Sequence, residues 1–334
     1  MTIKDLAEKS GYSVATVSRV LNNHPNVSEK AREEISRLVK ECGFQVNTNA
    51  QQLKQHATSI LVIVKGTSNE MFAEMIETIQ AQIDKTHYPL HVDYIDEDSN
   101  EVLRTLQLCR EKKPLGVLLL GANRQNLLAD FGKIGLPCVI VTNSASGMEF
   151  QNLSSVASDE RQATRIAIDA LVGMGHRRFA VIGGEHKVSV TAGLRYRGCL
   201  DAFQAHGIEF DEEQDYEAVR FSYADGYRAA ERLLARGRGF TALFAMADVM
   251  AIGAIRALQD HGLRVPEDVS VMGFDGLTIG EYTVPRLCTI AQDVQELAER
   301  SIRMLLENIA IPQPPRYETV PVRLEWKESA KSAN

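Results

Sequence analysis

From residue 60 onward, short continuous apolar runs alternate with amphipathic stretches, and this alternation limits the possible folds more than any other feature of the chain. "SILVIV" is followed by a helical pattern near 70–85, then by "LHVDYI", a helix, "GVLLL", a helix and "CVIV". After a break at 143–155 come a helix over 160–174, "FAVIGG", helices over 190–206 and 225–236, "ALFAM", a helix over 249–261 and "DVSVMGF". Strands apolar on both faces and joined by helices belong to parallel α/β sheets with right-handed crossovers. The two blocks predict two lobes of ordinary domain size. A helix over 294–309, the segment "PQPPRY" and a strand near 318–325 close the pattern.

The first forty or so residues follow a different rule. Thr2 is placed to cap a helix carrying Ile3, Leu6 and Ala7 on one face, and Gly11 ends it. Ser13 caps a second helix running to about Asn22, with Val17, Val20 and Leu21 as its apolar side; Pro25 breaks it. Ser28 opens a third helix, with Ile35, Leu38 and Val39 facing inward. Two helices joined by a three-residue turn containing Gly form a helix-turn-helix pattern. The second helix, within "GYSVATVSRVLNN", is unusual in composition: small hydroxyls and β-branched residues surround a single cation, Arg19. A helix lying in a DNA major groove needs small residues for close backbone approach, hydroxyls for phosphates, methyls for thymine and an Arg for guanine. The same pattern also suits a packed structural helix with Arg19 as a surface charge. Residues 44–58, rich in Asn, Gln and Thr with Leu53 as their one large aliphatic side chain beyond Val46, read as a linker with a short helix over 49–55.

Net charge bears on the partner. The chain carries −7 overall, which argues against coating nucleic acid by bulk positive charge. Residues 1–58 carry +2 and the remainder −9, which allows a small DNA-reading module on an acidic body. No apolar run approaches membrane-spanning length, and the acidic start "MTIKDLAEKSGYS" lacks a signal-peptide core, so a cytoplasmic protein is expected. The five cysteines are odd in number and widely spaced, which favours reduced thiols over a disulfide framework or a zinc site. His87 and His91 are separated by Pro89, so they do not share a helical metal-binding face. "KGTSNEM" after the first strand is no dinucleotide loop, the Gly183–Gly184 pair reads as a turn, and no nucleophile motif is present. No catalytic residue, metal or cofactor is therefore expected.

The segments "TIKDLAEKSGYSVATVSRVLNN" and "VSEKAREEISRLVKECGF" resemble the DNA-binding domain of the lac repressor (LacI/GalR) family. "MGHRRFAVIGG", "GLRYRGCLDAF", "ADVMAIGAIRALQDHGLRVPEDVSVMGFDG" and "VPRLCTI" are similar to the family's effector-domain motifs. The resemblance implies a helix-turn-helix domain over 1–45, a hinge with a short helix over 46–58, and a two-lobed α/β periplasmic-binding-protein-like domain over 59–328. Lobe N would comprise about 59–157 and 292–316, and lobe C about 158–291 and 317–328. It further implies a homodimer on double-stranded, near-palindromic operator DNA, responding to a small-molecule effector of the sugar, sugar acid or nucleoside class, with no membrane partner. By matched position, Ser13, Val14, Ala15, Thr16, Ser18 and Arg19 would face DNA, Thr2 and Asn22 would contact phosphates, and Leu53 would wedge into the minor groove. The family usually has Pro where this chain has Val46 and often Arg where it has Gln51.

Ligands of two-lobed α/β folds sit at the carboxyl ends of the strands. The resemblance places Phe72, Asp159, Arg195, Phe221, Asp248 and Asp275 there. Arg195 would clamp a hydroxyl or carboxylate, Asp275 would take hydroxyl or N–H donors, and Phe72 and Phe221 would stack on a ring. Phe72 is equally readable as core. Asp248 can instead cap the helix over 249–261, and Asp159 is either a cap where the chain crosses between lobes or a ligand contact. "NEMF" stands where the family has "NPFF", and Ala247 where some sugar-binding members carry Asn. The expected function is a ligand-responsive transcription regulator acting as a repressor of a carbohydrate or related catabolic operon; the competing reading is a sugar-type binding protein without direct gene regulation.

Overall fold

Helices α1 (Ile3–Ser10), α2 (Val14–Leu21) and α3 (Glu29–Glu41) close around Leu6, Ala7, Val17, Val20, Ala31 and Ile35. The turn between α1 and α2 needs Gly11, whose φ of +72° is the left-handed conformation that a Cβ disfavours. The Ser13 hydroxyl accepts from the Thr16 N–H at 3.2 Å, and Ser28 accepts from the Ala31 N–H at 3.4 Å. Each satisfies an amide that the first turn of its helix leaves without an intrahelical partner. The structure is a computed structural model describing residues 3–21, 27–42, 59–66 and 69–333. The chain divides into two units, 1–56 and 57–334.

The second unit opens with β1 (Ile60–Lys65), α4 (Glu70–Ile83), β2 (Leu90–Ile95), α5 (Glu101–Lys112), β3 (Gly116–Leu120), α6 (Arg124–Asp130), β4 (Cys138–Val141) and β5 (Leu153–Ala157). It continues with α7 (Glu160–Gly173), β6 (Phe179–Gly183), α8 (Val190–Ala205), α9 (Glu212–Asp215), β7 (Tyr216–Ala218), α10 (Tyr223–Ala235), β8 (Ala242–Ala245), α11 (Asp248–Asp260) and β9 (Ser270–Asp275). The last elements are β10 (Cys288–Gln292), α12 (Val294–Ala310), β11 (Tyr317–Thr319) and β12 (Val322–Glu325).

Two six-stranded sheets result, in the orders β11-β5-β4-β3-β1-β2 and β12-β10-β9-β8-β6-β7. All pairings are parallel except that of β10 with β12. The unbroken apolar run of β1 follows from burial on both faces. Ile60, Val62 and Val64 pack with α4 and α12, whereas Leu61 and Ile63 pack with Val102, Leu108 and Phe131. In lobe C, Phe179 and Val181 face α7 and α8, while Ala180 and Ile182 face α10 and α11. The last two helices pack backbone against backbone: a Cβ on Gly253 would lie 2.1 Å from the Tyr223 carbonyl oxygen, and one on Gly226 2.3 Å from that of Met250.

The chain crosses between lobes three times. Two crossings run directly into helices capped by aspartate: Asp159 accepts from the Gln162 N–H and Asp293 from the Glu296 N–H, each at 3.0 Å. The third crossing differs from the expected boundary at 316/317. Tyr317–Thr319 pairs with β5, so lobe N keeps the chain through Thr319, and the return to lobe C comes at β12. Among the described residues no helix is long and apolar enough to cross a membrane.

Candidate functional site

The first candidate surface lies on α2. Val17 and Val20 are inside, whereas Ser13 and Arg19 are exposed, Val14 is 42% exposed and Thr16 is half-buried. Tyr12 braces the unit from the turn, donating its hydroxyl to Glu34 on α3 at 2.7 Å. The outward face therefore has a methyl pair, hydroxyls and a cation to offer a partner. Thr2, Asn22 and Leu53, with the expected hinge over 46–58, lie outside the described residues, as do the side chains of Ala15 and Ser18.

The second candidate is a cavity of about 690 Å³ at the carboxyl ends of the strands, walled by both lobes. In each sheet the first strand, β1 or β6, has its sequential successor on one side and the following strand on the other. A crevice opens where the strand order reverses in this way. Arg195 of α8, only 3% exposed, is engaged through all three of its nitrogens. Nε donates to Glu160 Oε2 at 2.6 Å, one terminal nitrogen donates to Asp275 Oδ1 at 3.3 Å, and the other to the Met246 carbonyl. The guanidinium carbon lies 3.6 Å from the centre of the Phe274 ring, so the cation is also held over an aromatic face.

Asp275 ends β9 with φ +115°, a conformation costly for a residue with a side chain. Gln292 Nε2 donates to its Oδ1 at 3.0 Å. Burial pushes the Asp275 carboxyl up to about 6, against the lowering effect of Arg195. Phe72 and Phe221 also form part of the wall. The Gly183–Gly184 pair exists for close approach: a Cβ on Gly184 would lie 2.7 Å from the Phe221 ring and one on Gly183 2.3 Å from the Met246 sulfur. The turn expected there is an extended strand end with no room for side chains.

Two residues expected at the ligand lie elsewhere. Asp248 is completely buried and is absent from the wall. Its Oδ1 accepts from Thr289 Oγ1 and its Oδ2 from the Leu277 N–H, each at 2.7 Å, so it ties down the loop that follows Asp275. It is not the cap of α11, a place taken by Ala247 without a side-chain bond. Burial, reinforced by the neighbouring Asp275, pushes the Asp248 carboxyl up to about 8. Asp159 is exposed and spends its carboxylate capping α7.

Other wall residues gave no clear signal in sequence. Glu160, in the first turn of α7, is 2% exposed. Lys65 at the end of β1 donates to Glu101 at 2.8 Å, while Glu101 also accepts from the Asn123 N–H. Contacts between lobes frame the cavity: Thr191 donates to Asn143 at 2.9 Å, Tyr223 to Glu70 at 2.5 Å, and Arg220 pairs with Glu97 at 2.7 Å and with Asp98. An acidic residue in a first helical turn ordinarily answers the helix dipole, so nothing in sequence separated Glu160 from a solvated Glu.

Comparison with known proteins extends these observations over the whole chain. Residues 2–47 match the family described as bacterial regulatory proteins, lacI family, and residues 168–330 match the periplasmic binding protein-like domain. The chain is 33% identical to the HTH-type transcriptional regulator MalR of Clostridium butyricum, over 92% of this chain and 93% of that protein. Among solved structures it is similar to the lac repressor dimer bound to operator and the anti-inducer ONPF, with 26% identity, a TM-score of 0.75 and 99% of both chains covered. It is also similar to the transcriptional regulator CelR–cellobiose complex, with 27% identity, a TM-score of 0.73, and 99% of this chain and 100% of that one covered.

Proposed function

The chain belongs to the lacI family of bacterial regulatory proteins, and from that premise we propose a cytoplasmic repressor that binds operator DNA as a homodimer and answers to a small molecule in the cleft. The observation that carries the DNA half is the division of α2, with Val17 and Val20 inside and Ser13, Val14 and Arg19 exposed. In the major groove Arg19 donates to guanine, Val14 meets a thymine methyl, and the hydroxyls of Ser13 and Thr16 serve phosphates. One such helix reads few base pairs, so a second copy related by two-fold symmetry supplies the other half-site.

The cleft supplies the sensor. Arg195 and Asp275 provide fixed polar contacts, and Phe72 and Phe221 an apolar face for a ring. Lobe closure on a ligand that favours one arrangement shifts the population, and the DNA-binding units respond to that shift. A carbohydrate or related catabolic operon is the proposed target.

Selection of bound duplexes from a random pool by the full chain tests this reading. Enrichment of sequences with two inverted half-sites is expected. Enrichment of nothing, or of single unrepeated sites, would overturn it.

A further inference from the structure

A buried carboxylate oxygen without a partner is costly, because desolvation is not repaid by a hydrogen bond. Glu160 has one. Its side chain is 1% exposed and Oε2 is paired with Arg195, but Oε1 has no hydrogen-bond partner among the described residues. Glu160 also forms part of the cavity wall.

The charges around it point the same way. Among the described residues the wall carries three cations, Lys65, Arg195 and Arg220, against seven carboxylates. Every one of those cations is already engaged with carboxylate: Lys65 with Glu101, Arg195 with Glu160 and Asp275, Arg220 with Glu97 and Asp98. Arg195 already gives three of its five N–H groups to Glu160, Asp275 and the Met246 carbonyl, and the two carboxylates offset its charge. A hydroxyl meets acceptors at Glu160 and Asp275. A carboxylate or phosphate entering the same space meets like charge.

We propose that Glu160 is an effector-contacting residue that, beside Asp275, selects an uncharged, hydroxyl-bearing ligand and rejects its carboxylate- or phosphate-bearing counterparts. This rests on the reading of the cleft as the effector site, and it narrows the sugar, sugar acid and nucleoside classes by charge. Oε1 accepts the ligand hydroxyl and thereby gains the partner it lacks. Arg195 holds Oε2 and so fixes the direction of the second oxygen.

The test uses the full-length protein and matched pairs differing in charge: glucose and glucose 6-phosphate, galactose and galacturonate, maltose and maltobionate, inosine and inosine 5′-monophosphate. Thermal shift identifies binders, because a ligand specific to the native state raises the melting temperature. Calorimetry then compares the members of each responding pair. An uncharged member is expected to bind at least about tenfold more tightly than its anion, a ratio equal to about 1.4 kcal/mol. An anion binding as well as or better than its counterpart overturns the proposal, as does a panel in which no uncharged member binds. Glu160→Gln is expected to weaken the uncharged ligand about tenfold and to lower discrimination within the pair, a readout that a merely structural role would not move. Unchanged discrimination removes Glu160 from the contact. If the Gln variant loses cooperative melting, Glu160→Asp keeps the charge but withdraws the oxygen, and is expected to lose affinity while retaining discrimination; full affinity in that variant also removes the contact. None of these measurements involves DNA, so an anion-binding cleft in a protein that still binds its operator would overturn this proposal alone.

Discussion

Replacing Asp248 by Asn should make the protein less sensitive to pH, by an amount that follows from burial. Asp248 is fully buried, and its carboxyl is pushed from the ordinary 3.8 up to about 8. The folded state therefore holds a proton that the unfolded chain gives up at neutral pH. The stability this contributes is fully present below pH 3.8 and is lost as pH rises toward 8. One proton corresponds to about 1.4 kcal/mol per pH unit, so the loss from pH 5 to pH 7 is on the order of 2–3 kcal/mol. Asn is always neutral, and its carbonyl can still accept from the Leu277 N–H. Asp275, raised to about 6, contributes its own loss in both proteins and cancels in the comparison. So do the carboxylates whose ion pairs lower them, such as Asp268 beside Arg264. The assay is urea unfolding at pH 5 and pH 7, followed by far-UV dichroism and by the fluorescence of Trp326, the chain's single tryptophan, just after β12. The expected result is a pH-induced loss on the order of 2–3 kcal/mol smaller in the variant than in the parent. Equal losses in the two proteins would mean that Asp248 is ionised in the fold, and the reasoning would fail.

Arg19→Ala is expected to weaken binding to a selected operator by about 1–3 kcal/mol while leaving ligand affinity unchanged; anisotropy titration at fixed salt checks the first and calorimetry the second. Gly253→Ala places a methyl against the Tyr223 carbonyl between α10 and α11, and a loss of at least about 1–3 kcal/mol is expected, read as a lower melting temperature. A ligand hydroxyl bonded to ionised Asp275, whose carboxyl titrates at about 6, is held best above that pH. Its dissociation constant should rise as pH falls from 7 to 5, by up to about tenfold per unit below the titration point, and calorimetry at several pH values measures it.

Apart from β2, whose "LHVDYI" is half exposed, the strands legible in sequence were those whose side chains chiefly pack. β1, β3, β4, β6, β8 and β9 are apolar throughout or nearly so, because each is buried on both faces. β5 lay inside the apparent break at 143–155 because its centre is Ser154–Ser155. Those hydroxyls accept from the Arg316 and Ala145 N–H groups, so the strand is polar in composition yet buried. β10 escaped notice for a similar reason: Thr289 donates to Asp248 and Gln292 to Asp275, so its polar side chains support the site. β7 is three residues long, too short for an alternation to register, and the single strand expected near 318–325 is two, β11 paired with β5 and β12 paired with β10 in the other sheet.

The candidate site divides in the same way. Arg195, Phe72, Phe221 and Asp275 follow strand ends and come together on the wall. Asp248 follows a strand end too, but its side chain turns beneath the loop instead of into the cavity. Position along a strand fixes which end of the sheet a residue reaches; the direction of its side chain depends on partners far away in sequence, here Leu277 and Thr289. Glu160 and Lys65 depend on Arg195 and Glu101 in the same way.

The central claim is that DNA affinity is set by what occupies the cleft. Its most direct test is to titrate the full chain onto a duplex recovered by selection, with and without a saturating concentration of the uncharged ligand found by thermal shift. The expected result is salt-dependent binding whose dissociation constant changes about 5–150-fold with ligand, the span of ordinary allosteric coupling. A dissociation constant unchanged by a ligand that demonstrably fills the cleft would contradict it.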